Sequence, residues 1–253
     1  MTLNSRLTPL ALALVALCVF NNAKAAIGLD RTRVIFDGSK DAVSMSITNN
    51  NTQLPYLAHG WIENEQGNKI TTPLTVLPPV QRLEPGKQSQ VKVQALPAAK
   101  FLPQDRESVY YFNLREIPPR TDKANTLQIA LQTRIKLFYR PTAIVPSQQQ
   151  LSNPWQQKLT LTRVGDQYQV NNPTPYYITL VDARSSKDAK TAEGFEPLMV
   201  PPRGSLALAP SAKALGVTPY VTYVNDYGGR PTLAFSCSGD TCTVDLKASP
   251  GDE

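Results

Sequence analysis

The sequence predicts an all-β protein made of two immunoglobulin-like β-sandwich domains, and three observations support this fold class. Apolar and polar residues alternate in short segments with the two-residue period of strands. Turn-forming residues separate these segments at intervals of roughly 8–12 residues, and apolar residues spaced for a helix are almost absent. A proline- and glutamine-rich stretch over residues 141–156 divides the strand pattern into two series.

The first residues predict a cleavable export signal. Arg6 precedes an apolar run over residues 10–20, which is shorter than the ~18 residues of a membrane-spanning helix. An A-x-A signal-peptidase motif follows at residues 23–25. We therefore expect a signal peptide over residues 1–25 and a soluble mature chain that begins at Ala26.

The cysteines indicate an oxidising compartment. Cys18 would be an acylation site in a lipoprotein, but bulky Leu17 directly before it disfavours that alternative, and the cysteine then leaves with the signal. Cys237 and Cys242 predict a short disulfide that closes a hairpin and contributes about 2 kcal/mol. A metal site is the weaker interpretation, because His59 is the single histidine and no further cysteine completes a tetrahedral shell.

Charge and residue inventory argue against nucleic-acid binding and catalysis. The formal charge of +6 falls to +4 when the arginine and lysine of the signal leave, which is too mild for a nucleic-acid surface. Common hydrolase and nucleotide-binding motifs are absent, and His59 is expected to be an ordinary strand or surface residue. Glu63 and Glu65 are expected to lie on a solvated strand edge and not to form a glycosidase pair. The sequence thus predicts no enzyme and no cofactor.

The first domain is predicted over residues 26–143, with about seven strands. It lacks the cysteines of antibody domains, and Trp61 is expected to be a core residue. Its last strand is predicted over residues 125–140 and is about three times the commonest strand length. The alternating apolar residues of this strand either pack against the other sheet of the sandwich or bind a partner protein that lacks a strand. This apolar row consists of Leu127, Ile129, Leu131, Ile135 and Leu137.

The second domain is predicted over residues 144–247, followed by a disordered tail over residues 248–253. Its alternating segments again indicate a sandwich, without a sequence repeat of the first domain. A short proline-containing linker between two sandwiches leaves a cleft between them.

One motif is far more specific than the rest. It spans residues 102–118, LPQDRESVYYFNLREIP, and it is accompanied by LDRTR, QLPYLA, PPVQRLEPG, KLFYRP, NPTPYY and NDYGGRP. With these motifs the mature chain resembles the periplasmic pilus chaperones over essentially its whole length. The resemblance implies two domains in a boomerang arrangement and a periplasmic protein that binds pilus subunits, both pilins and adhesin. It further implies donor-strand complementation, delivery to an outer-membrane usher, and, as an open question, self-association of the free chaperone.

The resemblance also assigns residues of the binding site. Arg33 and Lys136 match the cleft cations that hold the C-terminal carboxylate of the subunit, as charge-assisted hydrogen bonds allow. Leu127, Ile129 and Leu131 match the alternating residues that fill the groove of the subunit. Lys136 has the opposite parity to these three, so simple pleating places it on the other face unless a twist or bulge intervenes.

Three further residues match the ion pairs between the domains of that family, namely Glu107, Arg140 and Asp226. The short connection over residues 118–125 resembles the subfamily with a short loop, which assembles thick rod-like pili. Residues 189–216 match only loosely, so the sequence assigns no partner surface to this part of the second domain.

The alternative function is a secreted two-domain adhesion or receptor module that binds its ligand in the same cleft. A chaperone should be encoded beside an usher and pilins and should co-purify with a subunit, whereas an adhesion module should not. An enzyme ranks third, since no catalytic base with a pocket can be named.

Overall fold

The computed structural model describes residues 25–120 and 127–249, and strands dominate this part of the chain. The all-β prediction with two sandwich domains is confirmed. All but the last residue of the predicted signal, and most of the 118–125 connection, lie outside the described residues. The strands of the first domain are β1 Ile27–Leu29, β2 Arg33–Asp37, β3 Ala42–Asn49, β4 Tyr56–Glu63, β5 Lys69–Ile70, β6 Leu74–Leu77, β7 Val80–Leu83, β8 Gln88–Ala95, β9 Ser108–Ile117 and β10 Gln132–Arg140.

The first domain consists of two sheets that pack face to face. One has the strand order β1-β3-β8-β6, and the other has the order β2-β10-β9-β4-β5, with β7 also paired to β4. The pair β2–β10 is parallel, whereas β10–β9 and β9–β4 are antiparallel. Alternate residues of both sheets fill one core, whose largest fully buried members are Phe36, Phe112, Met45, Ile47, Ile62, Leu74, Leu83 and Leu137. A 3₁₀ helix at Pro97–Phe101 precedes β9.

The predicted strand over residues 125–140 is too long at its start. Regular pairing begins at Gln132, opposite Arg115 of β9, and residues 127–131 are not in a strand. Residues 125 and 126 lie outside the described ranges. β9 ends at Ile117, and Pro118 and Pro119 follow, so this neighbour has no N–H groups to continue the ladder.

Trp61 is not a core residue, contrary to the prediction. Ala58, Gly60 and Ile62 are the buried residues of β4, so the alternation places Trp61 on the opposite face. Gly60 occupies the core side, where a Cβ would lie 3.0 Å from Val76 Cγ1. The Nε1 of Trp61 donates to Glu63 Oε1 (3.0 Å).

Glu63 is less solvated than expected, whereas Glu65 is exposed as predicted. Glu63 Oε2 accepts from Arg134 Nε at 2.8 Å, and only 15% of the Glu63 side chain is exposed. Glu65 Oε1 accepts from the hydroxyl of Tyr177 in the second domain, at 3.1 Å. Two neighbouring residues of one segment therefore have partners that are distant in sequence, which periodicity does not reveal.

The chain between the domains forms short helical turns, a 3₁₀ helix at Thr142–Ile144 and the helix α1 at Gln148–Leu151. The domain boundary at residues 143 and 144 stays a prediction, and it falls within the first of these turns. Ser147 caps α1 through a reciprocal pair of hydrogen bonds with Gln150. The 3₁₀ helix Trp155–Lys158 then brings Trp155 into the core of the second domain.

The described strands of the second domain form one continuous path in the order β14-β13-β16-β17-β18-β11-β12-β15. β17 bends between two partners, with Thr232–Ala234 paired to β16 and residues 235–238 paired to β18. The strands are β11 Thr160–Val164, β12 Gln167–Asn171, β13 Ile178–Arg184, β14 Leu198–Val200, β15 Ser205–Ser211, β16 Tyr220–Val224, β17 Thr232–Ser238 and β18 Thr241–Val244, with the helix α2 at Ala212–Leu215.

The predicted disulfide is confirmed. Cys237 and Cys242 are bonded and face each other across β17 and β18, so the bond closes this hairpin. The predicted tail begins too early, because Ala248 and Ser249 still hydrogen-bond to Asp245, and Ala234 N donates to Ser249 Oγ at 3.1 Å. No helix in the described ranges has the length and apolar character needed to cross a membrane.

Candidate functional site

Strand β10 presents two chemically different faces. Its odd-numbered residues Ile135 and Leu137 are buried in the core of the first domain. Its even-numbered residues Lys136, Phe138 and Arg140 lie on the other face, and each contacts the second domain. The β9–β10 register runs without a shift, so simple pleating accounts for the position of Lys136 and no bulge is involved.

Arg33 and Lys136 are brought together at the base of this face. They are Cα partners in the parallel β2–β10 ladder, so their side chains leave the sheet on the same side. Lys136 Nζ donates to Thr179 Oγ1 at 3.0 Å, and Arg33 Nη1 donates to the carbonyl oxygen of Val224 at 3.2 Å. Arg33 Nε is buried and has no acceptor among the described residues. The guanidinium thus has spare donor capacity next to the ammonium group.

Glu107, Arg140 and Asp226 are likewise brought together, at the junction of the two domains. Arg140 is 4% exposed, and its Nη2 lies 2.7 Å from Glu107 Oε1 while its Nη1 donates to Asp226 Oδ2 at 2.9 Å. The other oxygen of Glu107 accepts from the backbone N–H of Tyr177 at 2.8 Å. The ring of Tyr176 lies 4.8 Å from the guanidinium. One cation therefore joins a carboxylate of each domain.

Further contacts between the domains were not found by sequence reasoning. Arg203 Nη1 donates to Asp105 Oδ2 at 2.7 Å, and the rings of Phe138 and Tyr177 lie 5.9 Å apart. Arg203 belongs to the loosely matching part of the second domain, so no motif identified it. The two-residue spacing of Lys136, Phe138 and Arg140 could have predicted that Phe138 faces the second domain, since all three lie on one face of β10.

The three predicted donor residues lie in the segment that precedes β10. Leu127, Ile129 and Leu131 are 82%, 62% and 43% exposed. They have the same sequence parity as the buried Ile135 and Leu137 of β10, but they precede the strand and are exposed. The carbonyl oxygen of Leu131 accepts from the backbone N–H of Glu116 at 3.0 Å, which attaches the segment to the end of β9.

Comparison with known proteins identifies the family. The N-terminal domain model of the PapD pili and flagellar-assembly chaperones matches residues 26–145, and the C-terminal domain model of the pili assembly chaperone PapD matches residues 154–235. The chain belongs to the PapD family of pili assembly chaperones. Its function is therefore that of a chaperone in fimbrial assembly.

Individual relatives agree over nearly the whole chain. The chaperone protein PapD of Escherichia coli is 50% identical over 92% of this chain and 95% of its own length. The probable fimbrial chaperone YfcS of Escherichia coli K12 is 49% identical over 97% and 96%, respectively. The crystal structure of the periplasmic chaperone SfaE is 31% identical, with a TM-score of 0.65, and covers 82% of this chain and 98% of that one.

The cleft cations of this chaperone are held at an electrostatic cost. Burial lowers the pKa of Lys136 to about 8, and the nearby positive charge of Arg33 contributes to the shift. Burial also lowers the pKa of Arg33, although the carboxylates of Asp226 and Glu107 oppose that shift. A carboxylate bound between Arg33 and Lys136 would oppose both pKa shifts.

We predict that Lys136→Met changes how the stability of the free chaperone depends on pH. In the folded wild type Lys136 releases its proton near pH 8, but in the unfolded chain it does so near its ordinary pKa of 10.5. The unfolded state thus binds more protons in this window, and the free energy of unfolding should rise with pH by about 1–2 kcal/mol after allowance for solvent screening. The variant should lack this rise and should be the more stable protein at pH 7.

Urea unfolding at several pH values from 7 to 10.5 measures the effect. Lys92→Met, which removes an exposed lysine of β8, is the matched control and should follow the wild-type profile. If the free energy of unfolding depends on pH in the same way for wild type and Lys136→Met, the pKa of Lys136 is not lowered by folding.

Proposed function

We propose that this chaperone captures pilus subunits in the periplasm by donating the segment 127–131 as a missing strand, and that it then delivers them to an outer-membrane usher. The observation that carries the proposal is the exposed apolar row of Leu127, Ile129 and Leu131, directly in line with a row that is buried in the chaperone itself. Family membership and the fimbrial chaperones among its relatives support this function. The predicted export signal and the similarity to the periplasmic chaperone SfaE support a periplasmic location.

The donated segment supplies both kinds of interaction that an incomplete sandwich lacks. No strand in the described part of the chain pairs with residues 127–130, so their backbone groups would be available to pair with the edges of a groove in the subunit. The three apolar side chains would enter that groove and contribute ~5–8 kcal/mol before the costs of association. The chemistry is non-covalent and needs no nucleotide, because release requires only that another subunit supplies a competing strand.

Arg33 and Lys136 set the register of the complex in this proposal. Together they bind the C-terminal carboxylate of the subunit, with the free Arg33 Nε as an unused donor. Ile129 lies seven residues before Lys136, which corresponds to about 23 Å of extended chain. A slip by one residue would turn every donor side chain to the wrong face, so a fixed starting point determines which side chains of the subunit meet the row.

The same exposed row is available to a second copy of the chaperone when no subunit is present. Self-association of the free protein is therefore part of the proposal, with the subunit as the competitor that dissolves it.

We expect Arg33→Ala and Lys136→Ala each to abolish subunit capture and to leave the chaperone folded. Each change removes a part-buried cation from the cleft and none from a core, and the remaining cation cannot hold the carboxylate with the same charge and geometry. Arg31→Ala is the matched control, because Arg31 is two residues away and pairs with Asp30 on the surface. Co-purification of a tagged subunit from the periplasm measures capture. Wild-type recovery of the subunit with either cleft variant would exclude these two residues as the carboxylate anchor.

Ile129→Glu is expected to separate binding from stability. The side chain is exposed in the free chaperone, so the melting temperature should be nearly unchanged. In the complex the carboxylate would enter a dry groove at a cost of several kcal/mol, so the subunit should no longer co-purify. Leu137→Glu is the matched control, because Leu137 has the same parity but is fully buried, and this change should unfold the first domain.

Two outcomes would contradict the assignment of Ile129. A large fall in melting temperature would show that the side chain belongs to the core of the chaperone. An unchanged melt with full capture would show that Ile129 does not contact the subunit.

A further inference from the structure

Glu116 is a buried carboxylate with no cationic partner among the described residues. It lies on the core-facing side of β9, next to Leu114 in the alternation, and is 5% exposed. Its Oε2 accepts from the backbone N–H of Ile27 at 2.8 Å, and no lysine, arginine or histidine within residues 25–120 and 127–249 pairs with it. Its neighbour Arg115 is exposed on the opposite face. A buried charge of this kind is costly unless it is paired, so a missing cation is to be expected.

The position of the carboxylate identifies where that cation comes from. Ile27 is one residue after Ala26, the predicted first residue of the mature chain. Three covalent bonds separate the backbone nitrogen of Ala26 from that of Ile27, which Glu116 binds. At standard backbone dimensions these two nitrogens are no more than about 4 Å apart. Ala26 is itself held in place, because its carbonyl oxygen accepts from the backbone N–H of Asn50 at 2.6 Å.

We propose that the α-ammonium group of Ala26, which exists only after signal cleavage, is the partner of Glu116. Cleavage replaces a neutral peptide nitrogen with a positive charge one residue before the backbone N–H that Glu116 binds, so processing would supply this carboxylate with a cation. The inference rests on the predicted cleavage before Ala26 and not on how the subunit is bound.

The pairing reaches the donor segment through Glu116 itself. The side-chain carboxylate of Glu116 accepts a hydrogen bond from Ile27 of β1. The backbone N–H of Glu116 donates to the carbonyl oxygen of Leu131. The mature N-terminus and the start of the exposed row are therefore attached to the same residue. A chain that still carries its signal would have an unpaired buried charge at this place.

Four proteins test the proposal. The first pair is the mature chaperone and its Glu116→Gln variant, exported with the natural signal. The second pair carries Gly-Ser inserted between Ala25 and Ala26, so that the new ammonium group is two residues away from its natural place. Glutamine keeps an oxygen that accepts from Ile27, so the substitution removes the charge and not the hydrogen bond. Intact mass verifies the first residue of each protein.

The effect of Glu116→Gln on the melting temperature should differ between the two pairs. In the natural chain it removes an ion pair and should lower the melting temperature by about 4–8 °C. In the extended chain it removes an unpaired buried charge, so the melting temperature should stay the same or rise. Glu84→Gln, which removes an exposed carboxylate, should have the same small effect in both chains.

A second measurement separates ion pairing from a purely structural role. The rate at which an amine-reactive ester acylates the N-terminus should be low in the natural chain and several-fold higher in its Glu116→Gln variant. Equal shifts in melting temperature in both pairs, an unchanged acylation rate, or a mature chain that begins elsewhere than at Ala26 would each overturn the proposal. None of these results bears on strand donation by residues 127–131, which is tested separately.

Discussion

The junction of the two domains in this chaperone depends on one shared cation, the buried guanidinium of Arg140. Arg140 is the last residue of β10, and it joins Glu107, which directly precedes β9, to Asp226 of the second domain. A buried ion pair is weak evidence for stability, because desolvation consumes much of the attraction. Its value here is geometric. The network holds the second domain against the face of β10, where Lys136 reaches Thr179 of that domain.

Function and stability compete along the same strand. Burial lowers the pKa of both Arg33 and Lys136, and the positive charge of Arg33 lowers the pKa of Lys136 further. The exposed row of residues 127–131 likewise leaves apolar surface in water. In the proposed complex, the terminal carboxylate and the apolar groove of a subunit would offset both costs.

Sequence periodicity predicted much of this architecture, and its failures have a common cause. The two-residue alternation indicates strands, and the proline-rich stretch separates two series, because both signals are local. The start of β10 depends on a partner, however, and β9 stops supplying N–H groups at Pro118. Trp61 is apolar and lies in a strand, but Gly60 and not Trp61 faces the core in β4. Gly60 lies close to Val76, which is distant in sequence. The Asp105–Arg203 pair and the contact between Glu116 and Ile27 likewise arise only from tertiary proximity.

Amide hydrogen exchange over residues 127–131, measured by mass spectrometry with and without a bound subunit, tests strand donation most directly. In the free chaperone these residues are exposed and lie outside any strand, so their amides should exchange almost as fast as those of an unfolded peptide. On addition of the subunit they should become strongly protected, while β9 should change little. Rapid exchange of residues 127–131 in a complex that has formed, with protection gained elsewhere, would contradict the account.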